Sequence, residues 1–487
     1  MIMRFNNLLI LAASLLSAGA LQGQTPRSVQ SKQALPDAPS IQLAETLQQS
    51  ATASSPNALP SPAPSASDGS AKPRLTQADA EKLAIKNNPR VSIARLLALA
   101  QHQVVRETRS AELPTATASI TAEDAEDATR ISAGSLTASR LFEHAGAGGS
   151  FTQLITDFGK TRNLIASSKL QEKAQNANAL ATTEDIVLAA DQAFFNALQA
   201  QALLAVAEQN VNTRQATDTQ VTGMTKNKLK STLDESFADV NLSQAKLLLL
   251  DARGNVDSTM AALDAVLGLD HPVDYDLVND TGALQGPPPD AEALTQQALQ
   301  QRPDLQALNL SQQAAVKFSH AQRDQMLPSI TAAGTAGSVP IRPAAYYPEN
   351  WWGGVGVNMN IPVFNGFLYS AQSKEASLRA QAASEQSREL RDRIVRDVRT
   401  AWLAANTAYQ RVSVTGELLQ QSNQALSLAQ TRYKLGLSSI VELSEAQLQQ
   451  TDAAIGNTNA QYQYRLALAA LNYQTGTETG TQTGTAP

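Results

Sequence analysis

Residues 394–434 decide the fold, and they read IVRDVRTAWLAANTAYQRVSVTGELLQQSNQALSLAQTRYK. Small or apolar side chains recur there at alternating steps of three and four, the spacing of helices that pack as coiled coils. No proline interrupts residues 363–486, so we predict one helix over about 367–434. At 1.5 Å per residue this helix is on the order of 100 Å long, too long for a compact globular domain. The recurring positions are Ile394, Val398, Ala401/Trp402, Ala405, Ala408/Tyr409, Val412, Thr415, Leu419, Ser422, Leu426, Ala429 and Tyr433.

The chain contains a second long stretch without proline, at 115–271. We predict a matching long helix there, over 160–226. Turn signals follow both long helices, at Gly436 in the second half and within 222–231 in the first. A second helix is expected to return from each turn, so the chain forms two long antiparallel hairpins. The predicted returning helices cover 232–267 and 438–473.

Shorter motifs recur in the same order in both halves of the chain. The echoed pairs are Leu113-Pro114 with Leu327-Pro328, Asp157-Phe158-Gly159 with Phe364-Asn365-Gly366, and 231–235 with 438–442. The last two pairs share one sequence offset. Such spacing indicates a duplicated half-domain rather than a short solenoid unit.

The duplication predicts the domain boundaries. We expect a first repeat over 74–271, a connector over 272–301 and a second repeat over 302–473. Each repeat opens with a shorter helix, at 76–112 in the first and at 303–326 in the second. The fold class is therefore mainly α, with long helical hairpins and an internal two-fold repeat.

A stretch rich in Thr, Ser, Gly and Ala lies between the short and the long helix of each repeat, at 114–158 and 328–364. Small polar and apolar residues alternate in 115–123 and in 355–361, and a period of two predicts strands. Residues 149–156 are the expected partner of the first of these strands. Each repeat thus contributes one β-hairpin.

These strands are the predicted membrane-crossing part of the protein. After the first residues, no apolar stretch approaches the ~20 residues that a transmembrane helix needs. Four strands cannot close a barrel, since the smallest membrane barrels use about eight, so we expect a transmembrane β-barrel shared between chains. Aromatic rings at one strand end would lie at the membrane interface; a turn that packs aromatics in a soluble sheet is the alternative. These residues are Tyr346, Tyr347, Trp351 and Trp352.

The first residues indicate export from the cytoplasm. Arg4, an apolar run over 8–16 and the small residues Ala18-Gly19-Ala20 predict a signal peptide over 1–20. The Pro- and Ser-rich segment 21–73 has few large apolar residues and is predicted to be a disordered tether. A second disordered segment is expected at 474–487.

Composition excludes several functions. There is no cysteine, so neither disulfides nor thiol chemistry is available, and the net charge of −6 argues against a nucleic-acid partner. The four histidines show no metal-ligand spacing, and no Gly-rich phosphate loop or nucleophile elbow is present. We therefore expect neither a metal nor a cofactor, and no enzymatic activity.

An ordered set of motifs over 74–473 resembles the TolC-like outer membrane efflux protein family. The opening helix ends in Asn-Asn-Pro, and the second repeat begins with Arg-Pro-Asp-Leu. Each motif is weak by itself, but the ordered set is specific. The matching segments are Leu75 to Asn87-Asn88-Pro89, Arg302-Pro-Asp-Leu305, Leu327-Pro-Ser-Ile330, Pro362-Val-Phe-Asn-Gly366 and Arg432-Tyr-Lys-Leu-Gly-Leu-Ser438.

The resemblance implies a homotrimer in the outer membrane that extends into the periplasm. Three chains would build one twelve-stranded barrel and a tunnel of twelve helices. The implied function is a passive exit duct for drugs, small molecules or proteins. A periplasmic adaptor protein and an inner-membrane pump would be its partners.

The resemblance also implies two groups of site residues. Tyr433, Glu442 and Glu445 match family positions near the closed periplasmic end of the tunnel, where a ring of carboxylates would favour cations. The alternative is that both glutamates belong to a solvated helix face. Ser438 stands where some relatives have an arginine. The second group is the helix-tip turn that would meet the adaptor: Leu435, Gly436, Leu437 and Ser438, with Lys230 and Ser231 at the first tip, which lacks the glycine.

One rival function explains the long helices equally well. An exported structural coiled-coil protein without a pore would show the same heptads. It would not explain the two strand-forming segments placed before the long helices, or the clustered aromatic residues. The channel interpretation accounts for all three features.

Overall fold

The computed structural model describes residues 73–124, 130–133, 136–140, 144–279, 284–341 and 349–476. The predicted signal peptide and nearly all of the predicted tether lie outside these residues, as do Tyr346 and Tyr347. In the described part of the chain the helices are α1 Gln77–Asn87, α2 Pro89–Ser110, α3 Lys160–Lys226, α4 Thr232–Leu267, α5 Ala291–Gln301, α6 Pro303–Asp324, α7 Leu368–Lys434 and α8 Ile440–Thr475. The strands there are β1 Arg74–Leu75, β2 Thr115–Glu123, β3 Arg130–Ala133, β4 Leu136–Arg140, β5 His144–Thr156, β6 Asp276–Leu277, β7 Ser329–Ile341 and β8 Trp351–Asn360.

The internal repeat is confirmed by helix lengths. Helices α1 and α5 both have 11 residues, and α2 and α6 both have 22. The long helices α3 and α7 both have 67 residues, and the returning helices α4 and α8 both have 36. Equal lengths in equal order show that each half is one copy of the same unit.

Two predictions about the short helices are wrong in detail. The opening helix expected over 76–112 is broken at Asn88, because Pro89 cannot continue the helix that precedes it. Helix α5 lies inside the segment predicted as a connector, 272–301, and Pro303 separates it from α6 in the same way. The second structural repeat therefore begins before residue 302.

The long hairpins follow the prediction closely. Helix α3 covers the predicted 160–226, and α4 covers the predicted 232–267. Helix α8 continues to Thr475, so the predicted disordered tail does not begin at residue 474. The apolar core of the first hairpin includes Phe194, Leu263 and Leu267, all buried. No helix in the described ranges is long and apolar enough to cross a membrane.

Both halves contribute strands to one antiparallel sheet in the order β2-β5-β7-β8. The predicted pairing within each half is present, with Thr115 opposite Thr152 and Ser329 opposite Asn360. The halves join through β5 and β7, where Phe151 lies opposite Gly334. Strands β3 and β4, which were not predicted, pair with each other between β2 and β5 in the chain. Because β5 leads into α3 and β8 into α7, the sheet lies at the opposite end of the long helices from the hairpin turns.

Candidate functional site at the hairpin tips

The turn between α7 and α8 closes through backbone hydrogen bonds. The Leu437 N–H donates to the Arg432 carbonyl at 2.8 Å, and the Gly436 N–H donates to the Tyr433 carbonyl at 3.1 Å. Gly436 has φ 74°, the left-handed conformation that glycine adopts without steric cost. The side chains of Leu435 and Leu437 are both 67% exposed, so the predicted second tip presents two apolar residues to solvent.

The turn between α3 and α4 adopts the same backbone without a glycine. The Leu229 N–H donates to the Met224 carbonyl at 2.9 Å, and the Lys228 N–H donates to the Thr225 carbonyl at 2.9 Å. Lys228 takes the left-handed conformation with φ 60°. The missing glycine therefore changes the strain of the first tip but not its shape. Leu229 is exposed at the first tip, just as Leu435 and Leu437 are exposed at the second.

The N-caps of the returning helices fix how the two tips correspond. Ser231 caps α4, and Ser439 caps α8. The predicted echo of Ser231 with Ser438 is therefore wrong by one residue, because Phe367, and not Gly366, occupies before α7 the N-cap position that Gly159 occupies before α3. In the corrected alignment Asp234 corresponds to Glu442. Asp234 accepts the Ser231 N–H at 3.3 Å in a capping box.

Ser438 and Ser439 have different roles at the second tip. The Ser439 hydroxyl accepts the Glu442 N–H at 3.3 Å and so caps α8. Ser438, which was predicted to contact the adaptor, is half-buried. Its hydroxyl oxygen has no hydrogen-bond partner within the described residues. Of the predicted residues of the second tip, the two leucines and Gly436 are the exposed ones; at the first tip Ser231 is exposed and Lys230 is partly buried.

Tyr433 lies in the core where the two hairpins meet. Its side chain is 2% exposed and packs in a cluster with Val221 of α3 and Ile440 and Leu443 of α8. The Lys230 ammonium lies 4.4 Å from the centre of the ring, a cation–π contact between the two tips. Burial raises the pKa of Tyr433, and the Asp234 carboxylate adds to the rise. The structure thus buries Tyr433 beneath the tip surface, whereas Glu442 and Glu445 are exposed.

Glu442 and Glu445 lie on one exposed face of α8, three residues apart. The Arg432 Nε lies 3.0 Å from Glu442 Oε1, so this glutamate forms an ion pair with the end of α7. Glu445 accepts a hydrogen bond from the Gln449 amide at 2.9 Å. Arg432 was not among the site residues predicted from the sequence. The sequence spacing could have indicated this pair. Arg432 and Glu442 are equally far in sequence from Leu437 in the turn, and residues so placed face each other across an antiparallel hairpin.

A buried polar layer joins the hairpins further along the helices. Arg214 Nη1 donates to Gln447 Oε1 at 2.7 Å, and Gln447 Nε2 donates to the Thr217 hydroxyl at 2.9 Å. Burial lowers the pKa of Arg214. Asn241 also donates to the Ser444 hydroxyl at 2.9 Å. The seam between hairpins is therefore held by specific polar contacts, which heptad spacing does not reveal.

The predicted interface aromatics divide between the described and the undescribed residues. Trp351 is 75% exposed at the start of β8, and Trp352 is about half exposed. The Trp352 ring lies across the neighbouring strands, and a Cβ added at Gly337 would be only 2.8 Å from it. Glycine at this strand position therefore makes room for the indole. Across the described residues, no group of three or more His, Asp and Glu side chains is placed to hold a metal ion.

Comparison with known proteins gives a consistent result. The outer membrane efflux protein family matches residues 294–477. The outer membrane protein TolC of Salmonella enteritidis is 23% identical over 337 residues, covering 67% of this chain and 68% of that protein. The outer membrane efflux protein BepC of Brucella suis biovar 1 is 23% identical over 401 residues, covering 82% of this chain and 85% of that protein. The solved structure of CusC has a TM-score of 0.73 at 18% identity, covering 82% of this chain and 92% of that one.

Paired long hairpins with a four-stranded sheet at one end and matching turns at the other define a channel subunit that extends from the outer membrane into the periplasm. The chain resembles the TolC-like outer membrane efflux proteins, whose family matches its second half. Its function is that of an outer-membrane efflux channel, and the family and the structural neighbours are channel proteins. The rival interpretation, a coiled-coil protein without a pore, is not supported.

Proposed function

We propose that three copies of this chain form one passive exit duct. The sheets of the three chains would close a shared twelve-stranded barrel, and the hairpins would form a tunnel of twelve helices. The observation that carries this proposal is an open sheet with one apolar and one polar face. Its outer strands, β2 and β8, each pair with a single neighbour among the described strands. An open sheet edge is not tolerated in lipid, and the other copies would supply the missing partners.

The strand register divides the sheet into an apolar and a polar face. Residues directly opposite each other in a sheet share a face. On the apolar face, the register aligns four residues across the sheet: Ala116, Phe151, Gly334 and Val355. Val357 and Met359 lie on the same face as Val355, at every second position along β8. Val355 is 94% exposed, as suits a side chain that faces lipid in the assembled barrel.

The opposite face carries hydroxyls and amides and also the Trp352 ring, so of the two described aromatics predicted at the interface only Trp351 would face lipid. The register places Thr117 opposite Ser150, and their hydroxyl groups are 2.7 Å apart. Thr331 lies opposite Asn358 on the same face. An apolar outside and a polar inside are the arrangement of a membrane barrel with a water-filled lumen. The two faces of this sheet support that orientation.

We propose that Glu442 and Glu445 contribute to the constriction at the periplasmic end of the duct. Both are exposed at the tips, far from the sheet, and three-fold symmetry would repeat them around the axis. Tyr433, which is buried, would support this end by packing between the hairpins rather than by lining the passage. The duct would carry drugs, small molecules or proteins.

The hairpin tips are the proposed contact with a periplasmic adaptor protein, which would link the duct to an inner-membrane pump. Leu435 and Leu437 are exposed at the second tip and Leu229 at the first, on the same turn geometry. Exposed apolar residues in such a turn suit a partner surface. Replacing Leu435 and Leu437 with serine should abolish efflux in cells and cross-linking to the adaptor while leaving the trimer intact. Loss of the trimer itself would instead assign these residues to assembly.

Native mass in mild detergent tests the assembly. Protein extracted from outer membranes should have the mass of a trimer and should require detergent to stay soluble. It should also conduct ions when inserted in planar lipid bilayers. A monomer or dimer that is soluble without detergent and does not conduct would contradict the proposal.

A further inference from the structure

The two tips have the same backbone but different charges. At the first tip Asp234 is held in the capping box of Ser231, and the side chain that corresponds to Glu445 is Phe237. At the second tip both glutamates project from the first turns of α8. A carboxylate ring at the positions of Glu442 and Glu445 therefore draws on the second tip of each chain.

The two glutamates are not electrostatically equivalent. Glu442 lies within 3.0 Å of Arg432 Nε, so the pair has no net charge. Glu445 accepts a hydrogen bond from the neutral amide of Gln449 and has no ion pair in the described part of the chain. A neutral pair has a short-range field, whereas the field of a single charge reaches about a Debye length, ~10 Å at 0.1 M salt.

We propose that Arg432 determines the ion selectivity of the duct by neutralising Glu442, so that Glu445 alone provides the net negative charge of the constriction. This inference rests on the proposed function, since it requires the tips to line the passage. Arg432 would affect passing ions indirectly, because it cancels the charge of Glu442. Each chain would contribute one net negative charge from this group of three side chains, and the trimer would contribute a ring of three.

The test compares reversal potentials in planar bilayers under a salt gradient. Arg432→Gln should raise the permeability ratio of K⁺ over Cl⁻ by about two-fold or more, because it exposes a second carboxylate charge at roughly 10 Å from a passing ion. Glu445→Gln should lower the ratio towards that of an unselective pore. The double variant Arg432→Gln/Glu442→Gln should behave as the wild type, because it removes a neutral pair.

Two results would overturn the inference. One is an unchanged or lower ratio in Arg432→Gln; the other is a double variant that matches Glu442→Gln alone. Arg411→Gln is the matched control, since Arg411 is an exposed arginine of α7 far from the tip that contacts Gln463 at 3.3 Å, and it should leave the ratio unchanged. Failure of the proposed function has a different signature, since the wild type would then form no trimer and no pore.

Discussion

Asn88 and Arg302 are structural counterparts, and each donates a hydrogen bond to the carboxyl end of the returning helix of its own repeat. Asn88 Nδ2 lies 3.0 Å from the Val266 carbonyl, and Arg302 Nη1 lies 3.4 Å from the Gln474 carbonyl. Both residues precede the proline that starts the second short helix. The Asn-Asn-Pro and Arg-Pro motifs thus tie the short helices of each repeat to the end of its returning helix. One repeat uses an amide as the donor and the other a guanidinium, at the same backbone position.

This relationship predicts that Asn88→Ala lowers the free energy of unfolding by about 1–2 kcal/mol. The substitution removes the cap to the Arg90 N–H and leaves the Val266 carbonyl without its side-chain donor. Thermal unfolding followed by circular dichroism measures the effect. Asn87→Ala is the control, since that side chain is exposed, and it should change the melting temperature little. Equal losses in the two variants would argue against the closing role of Asn88.

The two tip turns predict opposite effects of glycine. Lys228→Gly should raise stability by about 0.5–1 kcal/mol, because lysine is strained at φ 60° and glycine is not. Gly436→Ala should lower stability by about 1 kcal/mol for the converse reason. Gly223→Ala, at an ordinary helical position of α3, should stabilise and serves as the control. The same sign for Lys228→Gly and Gly436→Ala in denaturant unfolding would contradict the shared turn geometry.

A buried carboxyl pair predicts a pH-dependent stability. Asp191 of α3 is 4% exposed and accepts a hydrogen bond from Gln77 Nε2 at 2.9 Å. Burial, and then the neighbouring Glu81 carboxylate, raise the pKa of Asp191 to about 7. The pKa of Glu81 is raised as well, again mainly by burial.

The sign of the effect follows from proton binding. Between about pH 4 and about 7 the folded chain keeps a proton on Asp191 that the unfolded chain has released, so stability falls as pH rises through this window. Asp191→Asn should remove that loss. Its melting temperature should exceed that of the wild type more at about pH 8 than at about pH 5. If the melting temperature of the wild type instead exceeded that of Asp191→Asn, by a margin that grows with pH, the ionised aspartate would be stabilising.

The Pro-rich segment after β6 is held by aromatic side chains of the second hairpin. The Trp402 indole donates to the Pro288 carbonyl at 2.7 Å, and the Tyr464 hydroxyl donates to the Gln285 carbonyl. Trp402→Phe should lower stability by about 1 kcal/mol, because the ring is retained and the donor is lost. The segment should then be cut faster by limited proteolysis. Trp351→Phe, at an exposed strand position, is the control and should leave proteolysis of this segment unchanged.

Much of the fold could be predicted from the sequence, because its signals are local. The absence of proline, the turn signals and the match to the second half give α3 and α4 their correct limits, and alternation gives β2. The wrong predictions also have local causes. Pro89 divides the predicted opening helix into α1 and α2, and Pro303 separates α6 from α5, which was predicted to be part of a connector. The one-residue error at Ser438 has the same character, since Gly159 and Gly366 echo each other in sequence but hold neighbouring, not equivalent, positions before the long helices.

The sequence by itself determined the long hairpins, the strand segments, the duplication and, through ordered motifs, the family, because each depends on neighbours a few residues apart. Only the tertiary structure decided which faces meet. It buries Tyr433 between the hairpins, pairs Arg432 with Glu442, joins the halves through β5 and β7, and places Asp191 against Glu81. These contacts join residues distant in the chain, and their energies depend on burial and separation, which no local pattern contains.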